Sequence, residues 1–261
     1  MTRARSFLRL RYVLLVLVVA LVYGQHTEKS MINIKPQTAA NEGETKGEKT
    51  QVKQTQVKAN PKRQTKEKQV ALTFDDGPDT KYTVEILDIL KKKKVKATFF
   101  VVGYQVERNP KVLASIVKEG HALGNHTWSH KDLTKLNDRQ IMSEIVKANN
   151  AIQNITGEVP KYIRTPYGAV SKKVTAVAEQ AGQKNVLWNV DTKDWTGATP
   201  KEMMKNVKAN IKPGGIILMH SFGGKKGDLS NTIKCLPMMI DYLQDQGYSF
   251  VTIPELKSNQ R

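Results

Sequence analysis

Cysteine is nearly absent. Cys235 is the single one in 261 residues, so no intramolecular disulfide can form and any domain must be held by its apolar core alone. Acidic side chains are also scarce. Asp and Glu number 24 against 42 Lys and Arg, and the formal charge of +18 attracts polyanions without choosing among nucleic acid, anionic lipid and acidic wall polymers. No repeat recurs at a fixed spacing, which argues against a solenoid. Large apolar and aromatic side chains almost vanish after Ile34 until Gln69. Such a stretch cannot bury enough apolar surface to offset the entropy of ordering it.

What is present divides the chain into parts. Arg3, Arg5, Arg9 and Arg11 precede Tyr12 to Gly24 (YVLLVLVVALVYG), an uncharged run of about 13 residues with the pattern of an export signal. Phe7, Leu8 and Leu10 extend the apolar stretch to roughly 18 residues, the short end of a membrane span. Val22-Tyr23-Gly24 is a passable cleavage site, so a removed signal peptide and a retained signal anchor both stay open. Either way the Arg-rich flank stays inside and the remainder crosses outward, secreted or membrane-anchored facing the cell wall. Residues 1–24 are thus read as signal or anchor, 25–68 as a disordered polar linker, 69–256 as the folded domain and 257–261 as a C-terminal tail. The lack of disulfides suits an exported protein of an envelope without an oxidising folding compartment. Cys235 is expected to be a small buried apolar residue, not a reactive thiol. Lys91 to Lys94 follow an amphipathic stretch (Tyr82, Ile86, Leu87, Leu90) and read as a solvated helix end, so nucleic acid is not expected as a partner.

From Gln69 onward, short β-branched apolar runs alternate with helical patterns, the signature of a parallel α/β sheet or barrel. Strands are expected at Val70–Phe74, Ala97–Val102, Ala122–Gly124, Tyr162–Arg164, Asn185–Val190, Gly215–Met219 and Tyr248–Ile253. Helices are expected near 80–93, 138–155, 171–181, 200–210 and 230–245. Asp79-Thr80 and Thr199-Pro200 offer helix starts, and Gly120 and Gly182 offer stops.

Polar clusters follow the C-terminal ends of several of these strands, where barrel enzymes keep their chemistry. Asp75 and Asp76 are adjacent, and two close carboxylates repel unless a cation or Arg offsets them. A single metal, with one aspartate as ligand and the other as free base, and an Asp-Gly-Pro turn with capping aspartates both satisfy that motif. His126 and His130 are four apart, and on one helical turn their rings would face the same side and bind one cation. Two unrelated histidines would also look like this. Together with Asp76 they make a three-ligand set with room for water. No glutamate lies between them, so a base must come from elsewhere, and Asp75 is the candidate. Arg164 could hold Asp75 through a bidentate fork, and His220, tuned by Asp194, could be the general acid. His26, in the linker, and His121, at a strand start, are expected to play no part.

Read in order, Thr73-Phe74-Asp75-Asp76-Gly77, His126-Thr127-Trp128-Ser129-His130, Arg164-Thr165-Pro166-Tyr167-Gly168, Asp191-Thr192-Lys193-Asp194-Trp195 and Leu218-Met219-His220 resemble five signature motifs. They are those of the polysaccharide deacetylase (NodB-homology) family, also called carbohydrate esterase family 4, and the resemblance covers about residues 69–256. It implies a distorted (β/α) barrel of about seven strands binding zinc or another divalent metal such as cobalt, nickel or manganese. It implies Asp76, His126 and His130 as metal ligands, Asp75 as base, His220 as acid, Arg164 orienting Asp75, and Asp194 paired with His220. Pro166, Tyr167, Trp195 and Leu218 would shape the groove or acetyl pocket, and the Tyr167 amide would help bind the oxyanion. Thr165 departs from the pattern, because many members have proline there. The implied activity is metal-dependent removal of N-acetyl groups from a cell-wall polysaccharide by a monomeric enzyme. Peptidoglycan N-acetylglucosamine is the favoured substrate, because export, tethering and positive charge suit an anionic wall. Chitin oligomers, N-acetylmuramic acid and acetylxylan are alternatives, as is a noncatalytic glycan-binding module.

Overall fold

The computed structural model describes residues 67–258. The expected export segment, the linker up to residue 66, His26 and the last three residues of the tail lie outside the described residues. Among the described residues no helix is long and apolar enough to cross a membrane.

Parallel strands form one curved sheet. In chain order they are β1 (Lys68–Asp75), β2 (Thr98–Val101), β3 (Ala122–Asn125), β4 (Tyr162–Ile163), β5 (Lys184–Asn185), β6 (Val190–Asp191), β7 (Gly215–His220) and β8 (Tyr248–Phe250). Helices between them are α1 (Tyr82–Lys93), α2 (Gly103–Arg108), α3 (Pro110–Lys118), α4 (Asp138–Thr156), α5 (Lys172–Gln180), α6 (Pro200–Asn210), α7 (Ser230–Asp245) and α8 (Ile253–Ser258). The order is β5-β4-β3-β2-β1-β7-β6, with β8 paired to the first residues of β1. Among the described residues no pairing joins β5 to β6, so the barrel is distorted and open along that seam.

The alternation of β1 sorts its side chains. Val70, Leu72 and Phe74 pack outward against Ile86 and Leu90 of α1 and Met239 and Leu243 of α7. Each such fully buried side chain contributes about 1.5–3 kcal/mol. Ala71 faces the other way, joining Phe100, Ile216 and the α8 residues Ile253 and Leu256 in an inner cluster. Thr73 and Asp75 share that inner side by the two-residue period, so the strand brings polar groups into the barrel at its C-terminal end.

Local punctuation matches the expectation at several ends. Thr199 and Glu202 make a reciprocal capping box with Pro200 at the first position of α6. The Asp79 carboxylate accepts the Thr83 N–H of α1 at 2.7 Å. Cys235 is fully buried, and burial with the nearby Asp194 charge pushes its thiol up to about 12. His121 is buried at the start of β3, where Nδ1 accepts the Ala97 N–H at 3.2 Å.

Two expectations are corrected. Asn185–Val190 is not one strand but two pieces that pair at opposite ends of the sheet, β5 with β4 and β6 with β7. Side chains replace the ladder on either side of the open seam: Asn185 Oδ1 accepts the Thr165 N–H at 3.2 Å and Asn189 Oδ1 accepts the Ile216 N–H at 2.8 Å. The last strand ends at Phe250, because the Thr252 N–H and hydroxyl both donate to Glu255 Oε2 and open a helix. The segment between β2 and β3, where Gly120 offered a helix stop, holds two short helices, the second starting with Pro110 at its first position.

Candidate active site

Strand register gathers the expected residues. Asp75 and His220 are direct neighbours across β1 and β7, while Asn125, paired with Ile163, leaves His126 and Arg164 one residue beyond the ends of β3 and β4. A cleft of about 350 Å³ opens there. Asp75, Asp76, His126 and His130 line it together with Tyr167, Trp195, Leu218 and His220, and two further residues, Trp188 and Asp191, complete the lining. Pro166 is buried and does not line the cleft.

Asp76 leaves the strand alternation through a positive φ of 75°, which brings its carboxylate to the same opening as Asp75. Its Oδ1 lies 3.3 Å from His126 Nε2 and 3.2 Å from His130 Nε2. Neither contact has hydrogen-bond geometry, and this buried oxygen has no donor. The His126 tautomer is set from behind: Nδ1–H donates to the Arg164 carbonyl at 2.7 Å, leaving Nε2 with a lone pair. Lone pairs therefore converge. One oxygen and two nitrogens within 4.8 Å of one another fit a divalent cation with three protein ligands and open positions for water.

The two histidines do not sit on a helical turn, as their spacing had implied. They bracket a loop in which Thr127 (φ 67°) and His130 (φ 57°) are left-handed. Side chains hold this conformation: Asn125 Oδ1 accepts the Thr127 N–H at 2.6 Å, and Thr127 Oγ1 accepts the His130 N–H at 3.1 Å. Glu144, buried on α4, accepts both the N–H and the hydroxyl of Ser129 at 2.8 Å. Burial alone would raise the Asp76 carboxyl, but the His126 ring, with His220 and His130 behind it, holds it below the usual carboxylate range.

Arg164 is fully buried and touches Asp75 through one nitrogen, not through a fork. Nη1 donates to Asp75 Oδ1 and to Thr73 Oγ1, both at 2.8 Å, while Nε donates to the Val186 carbonyl at 3.0 Å. The guanidinium lies 4.2 Å above the Phe100 ring. Pinned on its Nε edge and its face, the group cannot turn both nitrogens to one carboxylate. The consequence is that Asp75 Oδ2 stays free toward the cleft, 3.7 Å from His126 Nε2.

Asp194 is saturated with donors. Oδ1 accepts from His220 Nδ1 and the Trp195 N–H at 2.8 Å each, and Oδ2 accepts from the His220 N–H at 2.9 Å and the Thr232 hydroxyl at 3.0 Å. Burial works against a charged His220, but the bond and charge of Asp194 outweigh it and push the imidazole up to about 9. With Nδ1 engaged, Nε2 is the nitrogen left for the cleft. Tyr167 has a left-handed backbone (φ 61°) within its turn, its side chain is 71 % exposed, and its ring meets His130 edge-on at 4.8 Å.

This geometry can be set beside known proteins. The family model described as polysaccharide deacetylase matches residues 62–186. A Bacillus cereus peptidoglycan-N-acetylglucosamine deacetylase is 41% identical over 188 residues, covering 72% of this chain and 68% of that protein. The chain belongs to the polysaccharide deacetylase family. A crystal structure of the Bc1960 peptidoglycan N-acetylglucosamine deacetylase matches with a TM-score of 0.70 and 41% identity, over 73% of this chain and 88% of that one. A Bacillus anthracis chain described as a CE4 family pseudoenzyme also matches, with a TM-score of 0.68 and 33% identity over 73% of this chain and 66% of that one.

Some residues that line or support the cleft of this family member escaped sequence reasoning. Trp188 and Asp191 line the cleft, the first hidden inside what read as a continuous strand, the second within a motif from which only Asp194 and Trp195 received roles. Glu144 had a legible signal. It is a charge three residues after Ile141 on the buried face of α4, where an apolar side chain would be expected. Thr165 is buried, away from the cleft lining, and its N–H bond to Asn185 is one that proline could not donate.

Proposed function

We propose that this deacetylase removes the acetyl group from N-acetylglucosamine residues of peptidoglycan, outside the cytoplasm. The observation that carries the reading is the convergence of Asp76, His126 and His130 beside Asp75 and His220 in one cleft. The relative from Bacillus cereus, named for that substrate, supports it, as do the Arg-rich flank and apolar run at the start of the sequence.

Asp76, His126 and His130 would hold the divalent ion, zinc by the chemistry of one carboxylate and two imidazoles. Such an ion supplies Lewis acidity, polarising the acetamide carbonyl and easing deprotonation of water. The remaining steps belong to the protein. Asp75 Oδ2 takes the proton of the attacking water, and the Arg164 hydrogen bond to Oδ1 keeps that carboxylate aimed. The Tyr167 amide donates to the oxygen that becomes negative, a contact worth about 3–4 kcal/mol in comparable sites. His220 delivers its Nε2 proton to the departing sugar nitrogen, and Asp194 stabilises the imidazolium until then. Acetate and a free amino sugar result. Tyr167, Trp195 and Leu218 enclose the acetyl group and the sugar.

Product analysis on intact peptidoglycan tests this. Acetate should appear with zinc and vanish with a chelator, and the new free amine should be on glucosamine. Amines on muramic acid, or faster turnover of chitin oligomers, would overturn the substrate; binding without acetate from any polymer would leave a glycan-binding module.

A further inference from the structure

The loop between β7 and α7 contributes nothing to the steps above, yet it borders the cleft. It carries Gly223-Gly224-Lys225-Lys226-Gly227, with the three glycines at φ 81°, 83° and 75°. A Cβ on Gly223 would lie 3.8 Å from Asp76 Oδ2, so the loop leaves from beside the metal-ligand set. Lys225 follows within about 7 Å of chain at full extension. Its stem crosses Gly197, where an added Cβ would meet Lys225 Cδ at 2.9 Å. Gly197 closes the short turn that carries Trp195, so the stem is seated beside an aromatic of the cleft.

The charge at the end of that stem is unpaired. Lys225, Lys226 and Lys193 of the neighbouring loop are exposed, and none has a carboxylate partner among the described residues. The nearby acids have donors of their own and form no ion pair with these lysines: Asp228 accepts the Tyr82 hydroxyl and the Ser230 N–H at 2.9 Å each, and Asp191 Oδ1 accepts the Lys193 N–H at 2.7 Å. A stem held against the surface with a free ammonium is prepared for an anion. The reacting acetamide sugar is neutral, so that anion must belong to an adjoining unit of the polymer.

We propose that Lys225, flanked by Lys193 and Lys226, forms a carboxylate-binding subsite for the unit next to the sugar being deacetylated, which selects an acidic amino-sugar polymer over a neutral one. The inference rests on the deacetylase reading above and deepens it. Peptidoglycan bears carboxylates on alternate sugars, on the lactyl group itself or, where that is amide-linked, on the attached peptide; chitin bears none.

The test compares kcat/KM on two glycans of equal length, a peptidoglycan-derived strand with its carboxylates and a chitin oligomer, using zinc-loaded protein. Lys225→Glu should lower the ratio of the two values about tenfold, chiefly through KM on the acidic strand, and Lys225→Arg should keep the wild-type ratio. Salt near about 1 M, where the screening length is about 3 Å, should shrink the wild-type ratio in the same direction. An unchanged ratio in Lys225→Glu overturns the subsite, and so does an equal loss on both glycans. Wild-type protein that releases acetate from neither glycan overturns the deacetylase reading itself, and the subsite with it.

Discussion

On one wall of the cleft, built by the loops after β1 and β3, Asp76 Oδ1 faces two imidazoles and has no donor at all. On the other wall, after β6 and β7, Asp194 accepts four hydrogen bonds and its partner His220 is oriented by two of them. The first wall is chemically complete only with a cation, whereas the second is complete as folded. Buried polar groups without partners cost about 1–3 kcal/mol each, so such a gap persists where something fills it. Metal supply and pH should therefore act on different walls.

The largest effect comes from emptying the metal wall. His126→Ala should abolish zinc binding by calorimetry and reduce acetate release to background, while the Asp194 bond still keeps the His220 imidazole above its ordinary value. A His220 resonance titrating at or below the ordinary imidazole value in that variant would mean that Asp194 does not set its proton affinity. Asp75→Asn, which keeps shape and removes the base, should lower kcat by about 10²–10⁴-fold and leave zinc bound. Loss of the metal in that variant would instead make Asp75 a ligand.

The acid wall should answer to pH. In wild type, kcat should decline as pH rises through about 9, where His220 loses its proton. His220→Gln should lose about 10²-fold in kcat together with that alkaline limb. The linked stability has a definite sign: the folded pKa lies above the ordinary 6.5, so the stabilisation is whole below that value and is lost as pH rises through about 9. Denaturant titrations across that window check it.

Smaller effects test the supports behind each wall. Glu144→Ala leaves the Ser129 N–H and hydroxyl without their acceptor and should cost about 1–3 kcal/mol of stability, together with weaker zinc binding, because the His126–His130 loop is loosened. Unchanged zinc affinity would confine Glu144 to the fold. Thr165→Pro is expected to be nearly silent, within about 1 kcal/mol by thermal denaturation. The backbone there (φ −72°) already suits proline, so the loss of one bond to Asn185 is opposed by a less flexible unfolded chain.

Much of this was legible beforehand. Strand and helix periods located β1, β2, β3, β7 and the long helices, because each element is a run of residues with one buried face and its own caps. The polar residues at strand ends were legible for the same reason: Asp75, His126, Arg164 and His220 each interrupt an apolar or punctuated run. The split of Asn185–Val190 was not, because a short apolar run looks the same whether its ends pair with one neighbour or with two at opposite edges of a sheet. Nor was the single-nitrogen contact of Arg164. It depends on the Val186 carbonyl and the Phe100 face, which are far from Arg164 in the chain and meet it only inside the barrel.

Which polar residues gather in the cleft, their order and their placement at strand ends were thus determined by the sequence alone, since residue type and local period are properties of neighbouring positions. Which oxygen of Asp75 stays free, which nitrogen of His126 faces Asp76, and that Lys225 lies along Gly197 were decided only by tertiary structure. Those are matters of direction, set by contacts between segments tens of residues apart, and a one-dimensional pattern carries distances along the chain but no directions across it.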